Sequence, residues 1–195
     1  MVPAAGATDG PGSGPIASLH AGIDRATRRL HLVHAARLQC REGCSSCCID
    51  DLTVFEVEAE QVRRHHAELL ATGTPHAVGA CAFLDQRGAC RIYAQRPYVC
   101  RTQGLPLRWI EEGDDGAVEL RDICPLNEAG EPLAELRADA CWTLGPAEER
   151  LALLQLAAAP GAPRTRLRDL FLTASASPGS ESVPAVATIR AVDAG

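Results

Sequence analysis

Eight of the nine cysteines in this chain lie in one stretch of sequence and could bind metal. They form four short groups: Cys40, Cys44, Cys47 and Cys48; Cys81 and Cys90; Cys100; and Cys124. A thiolate is a soft ligand, and sets of four thiolates bind zinc or iron–sulfur clusters. The two-residue spacer between Cys44 and Cys47 lets both sulfurs reach one ion, and Cys40 is close enough to join them. These eight residues are therefore the candidate metal ligands.

The adjacent pair Cys47 and Cys48 leaves the number of sites open. Successive side chains in extended backbone point in opposite directions, so the pair suggests two sites or one multinuclear site. Eight thiolates could form two four-sulfur sites, or one cluster site plus structural or redox sulfurs. Four arginines close to these cysteines in sequence could offset the thiolate charge, or could simply face solvent: Arg41, Arg91, Arg96 and Arg101.

Other chemically capable residues are weaker candidates. Cys141 stands outside the motif beside Trp142, and we expect it to be a small buried hydrophobe. Four histidines could complete a metal set, but the cysteines suffice and we expect packed or solvated side chains: His31, His34, His65 and His66. The acidic pairs belong more naturally in caps and turns than in acid–base chemistry: Asp50 with Asp51, and Asp114 with Asp115.

Composition excludes several function classes. The formal charge is −6, without the basic footprint of a nucleic-acid-binding protein. All 19 basic residues are arginine, which excludes a lysine Schiff base or a P-loop lysine. The first twenty residues lack the basic and apolar regions of a secretory signal, and no segment approaches the roughly 20 apolar residues of a membrane span. We expect a cytoplasmic protein with reduced thiols, in which metal ligation outranks disulfides.

The elements that must position the cysteines are predicted from periodicity and turn signals. Apolar residues at steps of three and four predict a helix from Ile16 to Val33, and Pro146 opens another through Ala158. Thr53 followed by Glu56 resembles a capping box that starts a helix to about Ala71. Irregular backbone is expected over 81–107, a small hairpin over 108–111 and 117–121, and a last short helix over 164–172.

These elements predict one small domain. The fold class is mainly α, with irregular cysteine-rich loops, a small β-hairpin and a metal that staples the structure. The domain is expected to span residues 15–173 with its motif core at 40–125. The Gly- and Pro-rich start, residues 1–14, and the small polar end, residues 174–195, are predicted to be disordered tails.

The cysteine region resembles the YkgJ-family cysteine-cluster domain. The resemblance rests on the run Cys40-Arg-Glu-Gly-Cys44-Ser-Ser-Cys47-Cys48 and on the later signatures Cys81-Ala-Phe-Leu84, Cys90-Arg-Ile-Tyr93, Arg96-Pro97 and Cys100-Arg101. It covers residues 40 to about 125. The family pattern has two residues between its first cysteines, whereas this chain has three, Arg41 to Gly43. The resemblance implies chelation of zinc or iron by these cysteines and names no substrate.

Three hypotheses follow for the function. The leading one is a metal-binding protein that holds zinc or an iron–sulfur cluster. The second is an iron–sulfur-dependent redox enzyme with a reactive Cys48 or Cys100, or a methyl-transfer enzyme, because a related region occurs in flagellin lysine N-methylases. This chain is short for methyl transfer and has no glycine-rich cofactor loop after an obvious strand. The third is a metal-stapled module that docks a protein partner.

Overall fold

The computed structural model describes residues 14–113 and 116–174, in which helices alternate with two small sheets. The α-helices are α1 (Pro15–Val33), α2 (Glu56–His65), α3 (Ala67–Thr72), α4 (Tyr98–Thr102), α5 (Pro146–Ala158) and α6 (Asp169–Ala174). The strands are β1 (Thr53–Val54), β2 (Leu107–Gly113), β3 (Gly116–Asp122), β4 (Trp142–Thr143) and β5 (Thr165–Arg166). Short 3₁₀ turns occur at Tyr93–Gln95, Pro125–Asn127, Leu133–Glu135 and Ala138–Ala140. The architecture is a small α/β arrangement, so "mainly α" describes it only in part.

Helix α1 confirms the first predicted helix, but its buried face differs from the predicted one. Ile23 and Leu30 are buried as expected, whereas Val33 at the end of the predicted stripe is exposed. Two polar residues, His20 and Thr27, are buried instead. They are tolerated because each is hydrogen-bonded, His20 to the carboxylate of Glu58 and Thr27 to a backbone carbonyl of its own helix.

The predicted capping box at Thr53 and Glu56 is wrong. Thr53 lies in strand β1, which pairs antiparallel with β5 and sets Thr53 opposite Arg166. The Glu56 carboxylate accepts hydrogen bonds from Thr165 and Arg63, so it does not reach back to cap the helix. The single predicted helix is also divided in two, because the backbone leaves the helical conformation at His66, with φ of −128°.

The predicted hairpin is confirmed and extended. Strands β2 and β3 pair antiparallel with Arg108 opposite Arg121. Strand β4 adds a third, parallel neighbour that places Leu107 opposite Trp142, which the sequence did not predict. The predicted turn residues Asp114 and Asp115 lie outside the described residues.

The C-terminal elements are predicted in part. Helix α5 has the predicted bounds, with Pro146 in its first turn and the Glu148 carboxylate accepting the Gly145 N–H. The last predicted helix is wrong at its start, since Thr165 belongs to strand β5 and α6 begins only at Asp169. Pairing with β1 takes the backbone of this segment into a strand. The predicted tails lie almost entirely outside the described residues.

Two clusters of buried side chains form the core. The larger contains Val54, Ala59, Val62, Leu70, Cys81, Ala82, Phe83, Leu84, Ile92, Leu167, Leu170 and Phe171, with Cys48 and Cys90 packed against it. The smaller contains Ile23, Tyr98, Ala147 and Leu151. Several candidate ligands are thus part of the hydrophobic core. None of the helices in residues 14–113 and 116–174 is long and apolar enough to cross a membrane.

Candidate metal centre

The first four candidate ligands lie on a loop made of two consecutive turns between α1 and β1. The Cys44 N–H donates to the Arg41 carbonyl at 3.0 Å, and the Cys48 N–H donates to the Ser45 carbonyl at 2.9 Å. Gly43, inside the first turn, has φ of +82°, a conformation that favours glycine. The loop backbone therefore bends twice within nine residues and keeps all four thiols in one small region.

Cys81 and Cys90 lie on the two arms of a short ribbon and, with Cys48, contact the larger core cluster. An antiparallel bridge pairs Leu84 with Cys90, and the turn between them closes with the Gly88 N–H donating to the carbonyl of Asp85 at 3.1 Å. The Cys81 N–H donates to the Cys48 carbonyl at 2.9 Å, which attaches the ribbon to the first cysteine loop. Three thiols from distant parts of the sequence are thus brought together by backbone hydrogen bonds.

Cys100, in the short helix α4, approaches the same region. Burial, together with the negative charges of Cys81, Cys90, Glu58 and Cys47, raises the pKa of Cys100 to about 12. Such repulsion between thiolates requires that their sulfurs be near one another. The helix therefore brings Cys100 towards the ribbon.

A buried amide that carries no signal in the sequence ties Cys40 to the segment carrying Cys124. Asn127 is 0% exposed, and its Nδ2 donates to Cys40 Sγ at 3.3 Å and to the Gly104 carbonyl at 2.8 Å. Its Oδ1 accepts the Gln39 N–H at 2.7 Å, while its own N–H donates to the Cys124 carbonyl at 2.7 Å. One side chain thus joins three loops around the Cys40 sulfur.

Gly104 leaves the space that Cys40 occupies. Its φ is +87°, and a Cβ at this position would lie 2.6 Å from Cys40 Sγ and 3.2 Å from Asn127 Nδ2. The sequence marks Gly104 only as a turn signal, because nothing local indicates a sulfur 64 residues away along the chain.

The thiols influence one another's charge. Burial raises the pKa of Cys40, the Asn127 hydrogen bond opposes this rise, and the charges of Cys44, Cys124 and Cys47 add to it. The hydrogen bond from Cys48 to Cys47 lowers the pKa of Cys47 and raises that of Cys48.

Residues 39–125 match the sequence model of the CxxCxxCC family, whose description reads "Putative zinc- or iron-chelating domain". The match covers 87 of the 195 residues, and we call the matched stretch the CxxCxxCC domain. It begins one residue before Cys40 and ends one residue after Cys124, so it contains all eight candidate ligands. The predicted resemblance is confirmed, and the family description supports metal binding. No curated protein and no solved structure matches the chain.

The cysteines of the CxxCxxCC domain are reduced but not closed around an ion. All eight, together with Cys141, are free thiols. Among the described residues, no group of three or more Cys, His, Asp or Glu side chains stands ready to hold a metal ion. The loops therefore gather the sulfurs, and ligation would require rotation of cysteine side chains towards a common point.

The arginines near the CxxCxxCC cysteines act mainly on backbone and carboxylate groups. Arg91 donates to the carbonyls of Thr74 and Ala82, and Arg101 forms an ion pair with Asp24 at 2.6 Å. No arginine in the described part of the chain donates a hydrogen bond to a cysteine sulfur. The charges of Arg96 and Arg91 nevertheless lower the pKa of Cys90, against the larger effect of burial.

Most of the weaker candidates have hydrogen-bond partners of their own. The four histidines hydrogen-bond to other groups, namely His31 to the Thr27 carbonyl, His34 to the Ala140 carbonyl, His65 to Gln61 and His66 to Gln95. Asp50 accepts from Arg168 and from the Gly79 N–H, and the exposed Asp51 pairs with Arg166. Cys141 is 6% exposed, in agreement with a small buried hydrophobe.

Proposed function

We propose that this chain binds zinc or an iron–sulfur cluster through the thiolates of its CxxCxxCC domain. The proposed ligands are Cys40, Cys44, Cys47, Cys48, Cys81, Cys90, Cys100 and Cys124. The observation that carries the proposal is the gathering of reduced thiols from separate loops within reach of one another's charge. A bound cation replaces the repulsion between thiolates with attraction, so it supplies free energy for closing the loops.

The bound metal would act first as a structural element. Thiolate sets of four leave no open coordination position, which is typical of structural zinc and of cluster sites. The loops over residues 40–48 and 81–92 contain little regular structure and would gain stability from cross-linking by metal. On this proposal residues 15–173 fold as one unit in a reducing compartment such as the cytoplasm, where thiols persist.

A reactive thiol at Cys48 or Cys100 has less support. The nucleophilic form of cysteine is the thiolate. Burial raises the pKa of Cys100, and the hydrogen bond to Cys47 raises that of Cys48, so both remain thiols at neutral pH when metal is absent. These two residues are therefore better suited to displacement of their protons by a metal than to attack on a substrate.

Metal analysis of the full chain tests the proposal. The protein would be purified without oxygen, and zinc, iron and acid-labile sulfide would be measured per chain beside the absorption spectrum. We expect bound metal in the wild type and in Cys141→Ser, and reduced metal content in Cys81→Ser. Sulfide with visible absorption would identify a cluster, and colourless protein with zinc would identify a zinc site. A folded wild type that takes up neither, even after reconstitution under reducing conditions, contradicts the proposal.

A further inference from the structure

We propose that the eight thiols form two separate four-sulfur centres. The outer set consists of Cys40, Cys44, Cys47 and Cys124, and the inner set consists of Cys48, Cys81, Cys90 and Cys100. This inference rests on the proposed metal binding and adds to it the number of centres and the ligands of each. The order of cysteines along the chain does not give this division, since one first-loop residue is assigned to a set with three later ones.

The outer set is assembled around Asn127. This amide donates to Cys40 Sγ at 3.3 Å and holds the backbone of Cys124 through its own N–H. Arg37, only 7% exposed, fixes the following segment by donating to the carbonyls of Asn127 at 3.1 Å and Glu131 at 2.8 Å. The loop that carries Cys124 is therefore anchored beside Cys40 although 84 residues separate them in sequence.

Cys44 and Cys47 complete the outer set. Both follow Cys40 on the doubly bent loop, and the thiolates that act most strongly on Cys40 are those of Cys44, Cys124 and Cys47. Cys40 and Cys47 are exposed, while Cys44 and Cys124 are partly exposed. The outer set therefore lies at the surface, where an ion can enter directly.

The inner set is built on the hydrophobic core. Cys81 belongs to the larger core cluster, and Cys48 and Cys90 pack against it. A backbone hydrogen bond of 2.9 Å joins Cys81 to Cys48, and the bridge between Leu84 and Cys90 holds Cys90 on the same ribbon as Cys81. Among the neighbouring charges, those of Cys81 and Cys90 raise the pKa of Cys100 most, so Cys100 lies near these two cysteines.

The boundary between the two sets falls between Cys47 and Cys48. Cys48 packs on the core cluster, whereas Cys47 is exposed. They remain close enough for a hydrogen bond, and Cys47 also acts on Cys100. The two centres are thus neighbours that share a peptide link without sharing a sulfur.

Paired removal of ligands tests the division. Zinc would be loaded into the reduced full chain, free metal removed, and bound zinc counted per chain, with circular dichroism as a check on folding. We expect two zinc ions in the wild type and in Cys141→Ser, and one in either Cys124→Ser or Cys100→Ser. The same-set double variant Cys40→Ser/Cys124→Ser should keep one ion, and the cross-set double variant Cys124→Ser/Cys100→Ser should keep none.

A cadmium NMR spectrum of the wild type counts the centres directly, without relying on any variant, and a single variant then assigns one signal. The wild type should give two resonances typical of four-sulfur coordination, one of which disappears in Cys47→Ser while the other persists. A single resonance from the wild type, or loss of all bound zinc in every folded single variant, overturns the division in favour of one shared centre. Either result leaves the proposed metal binding intact. A wild type without any bound metal overturns both.

Discussion

Replacement of Gly104 by alanine tests how Cys40 is positioned. The new Cβ would lie 2.6 Å from Cys40 Sγ, which is closer than real Cβ contacts allow. The sulfur sits at the end of a side chain that can rotate, so it moves away while the backbone stays in place. This rotation breaks the hydrogen bond from Asn127 and turns Cys40 away from the other outer thiols. We therefore expect a moderate loss of stability and a larger loss of metal binding.

The magnitude follows from two contributions. A non-glycine residue at positive φ costs roughly 1–2 kcal/mol, and Gly104 has φ of +87°. Loss of the Asn127 hydrogen bond adds about 1 kcal/mol. Because 1 kcal/mol shifts the melting temperature of a chain of this size by roughly 2–4 °C, metal-free Gly104→Ala should melt several degrees below the wild type. A displaced ligand should weaken the outer centre by at least the 10–100-fold typical of changes in its support.

Gly161→Ala is the matched control. Gly161 also has positive φ, +74°, but a Cβ there has no atom within 4 Å. Its substitution carries the backbone penalty alone, so it should destabilise by roughly 1–2 kcal/mol and retain full metal content. Urea unfolding of the metal-free proteins and zinc counts of the loaded proteins measure both effects. If Gly104→Ala binds as much zinc as Gly161→Ala at equal competitor concentration, the position assigned to Cys40 is incorrect.

Two further substitutions and one labelling experiment test the surroundings of the cysteines. Asn127→Ala leaves the Gln39 N–H and the Gly104 carbonyl without their partner, which should cost about 2–4 kcal/mol in urea unfolding. The control Leu126→Ala, at an exposed neighbour, should cost under about 0.5 kcal/mol. Equal losses of stability in the two variants would refute the role of Asn127. Glu58→Ala removes the acceptor of buried His20 and of the Tyr98 N–H and should cost about 2–4 kcal/mol in urea unfolding. A similar loss of stability from Glu60→Ala would refute the structural role of the Glu58 carboxylate. In metal-free protein, iodoacetamide should modify Cys47 first and at lower pH than an ordinary thiol, because its lowered pKa favours the thiolate. Cys100, whose pKa burial raises to about 12, should react last, and peptide mass spectrometry showing the reverse order would contradict the assignment.

The elements predicted correctly are those whose signals are local. Helix α5 follows from Pro146 and from Glu148 in its first turn, and the β2–β3 hairpin follows from the turn residues between Gly113 and Gly116. The capping box at Thr53 failed because the competing partner is Thr165, more than a hundred residues further along the chain. Pairing between β1 and β5 overrides a local pattern, as tertiary contacts commonly do.

The candidate ligands were predictable as a set but not as an arrangement. Eight clustered thiols indicate metal chemistry whatever the fold, because reduced cysteines have few other uses in such density. Their division depends on residues without any sequence signature, above all Asn127, which resembles an ordinary loop asparagine until its burial is known. For the arginines the sequence left charge offset and solvation open, and the structure directs Arg91 and Arg101 to backbone carbonyls and Asp24 instead.

The three-residue spacer between the first cysteines has a structural explanation that bears on both sets. The turn from Arg41 to Cys44 takes up the additional residue, with Gly43 in the left-handed conformation at its third position, so Cys40 can still meet Asn127. Beyond Cys44 the second turn delivers Cys48 to the core, where Cys81 already sits 9% exposed. The outer thiols thus depend on turns and one buried amide, whereas the inner thiols depend on core packing. It follows that removal of metal should loosen the outer loop first, because the inner set retains its apolar contacts without an ion.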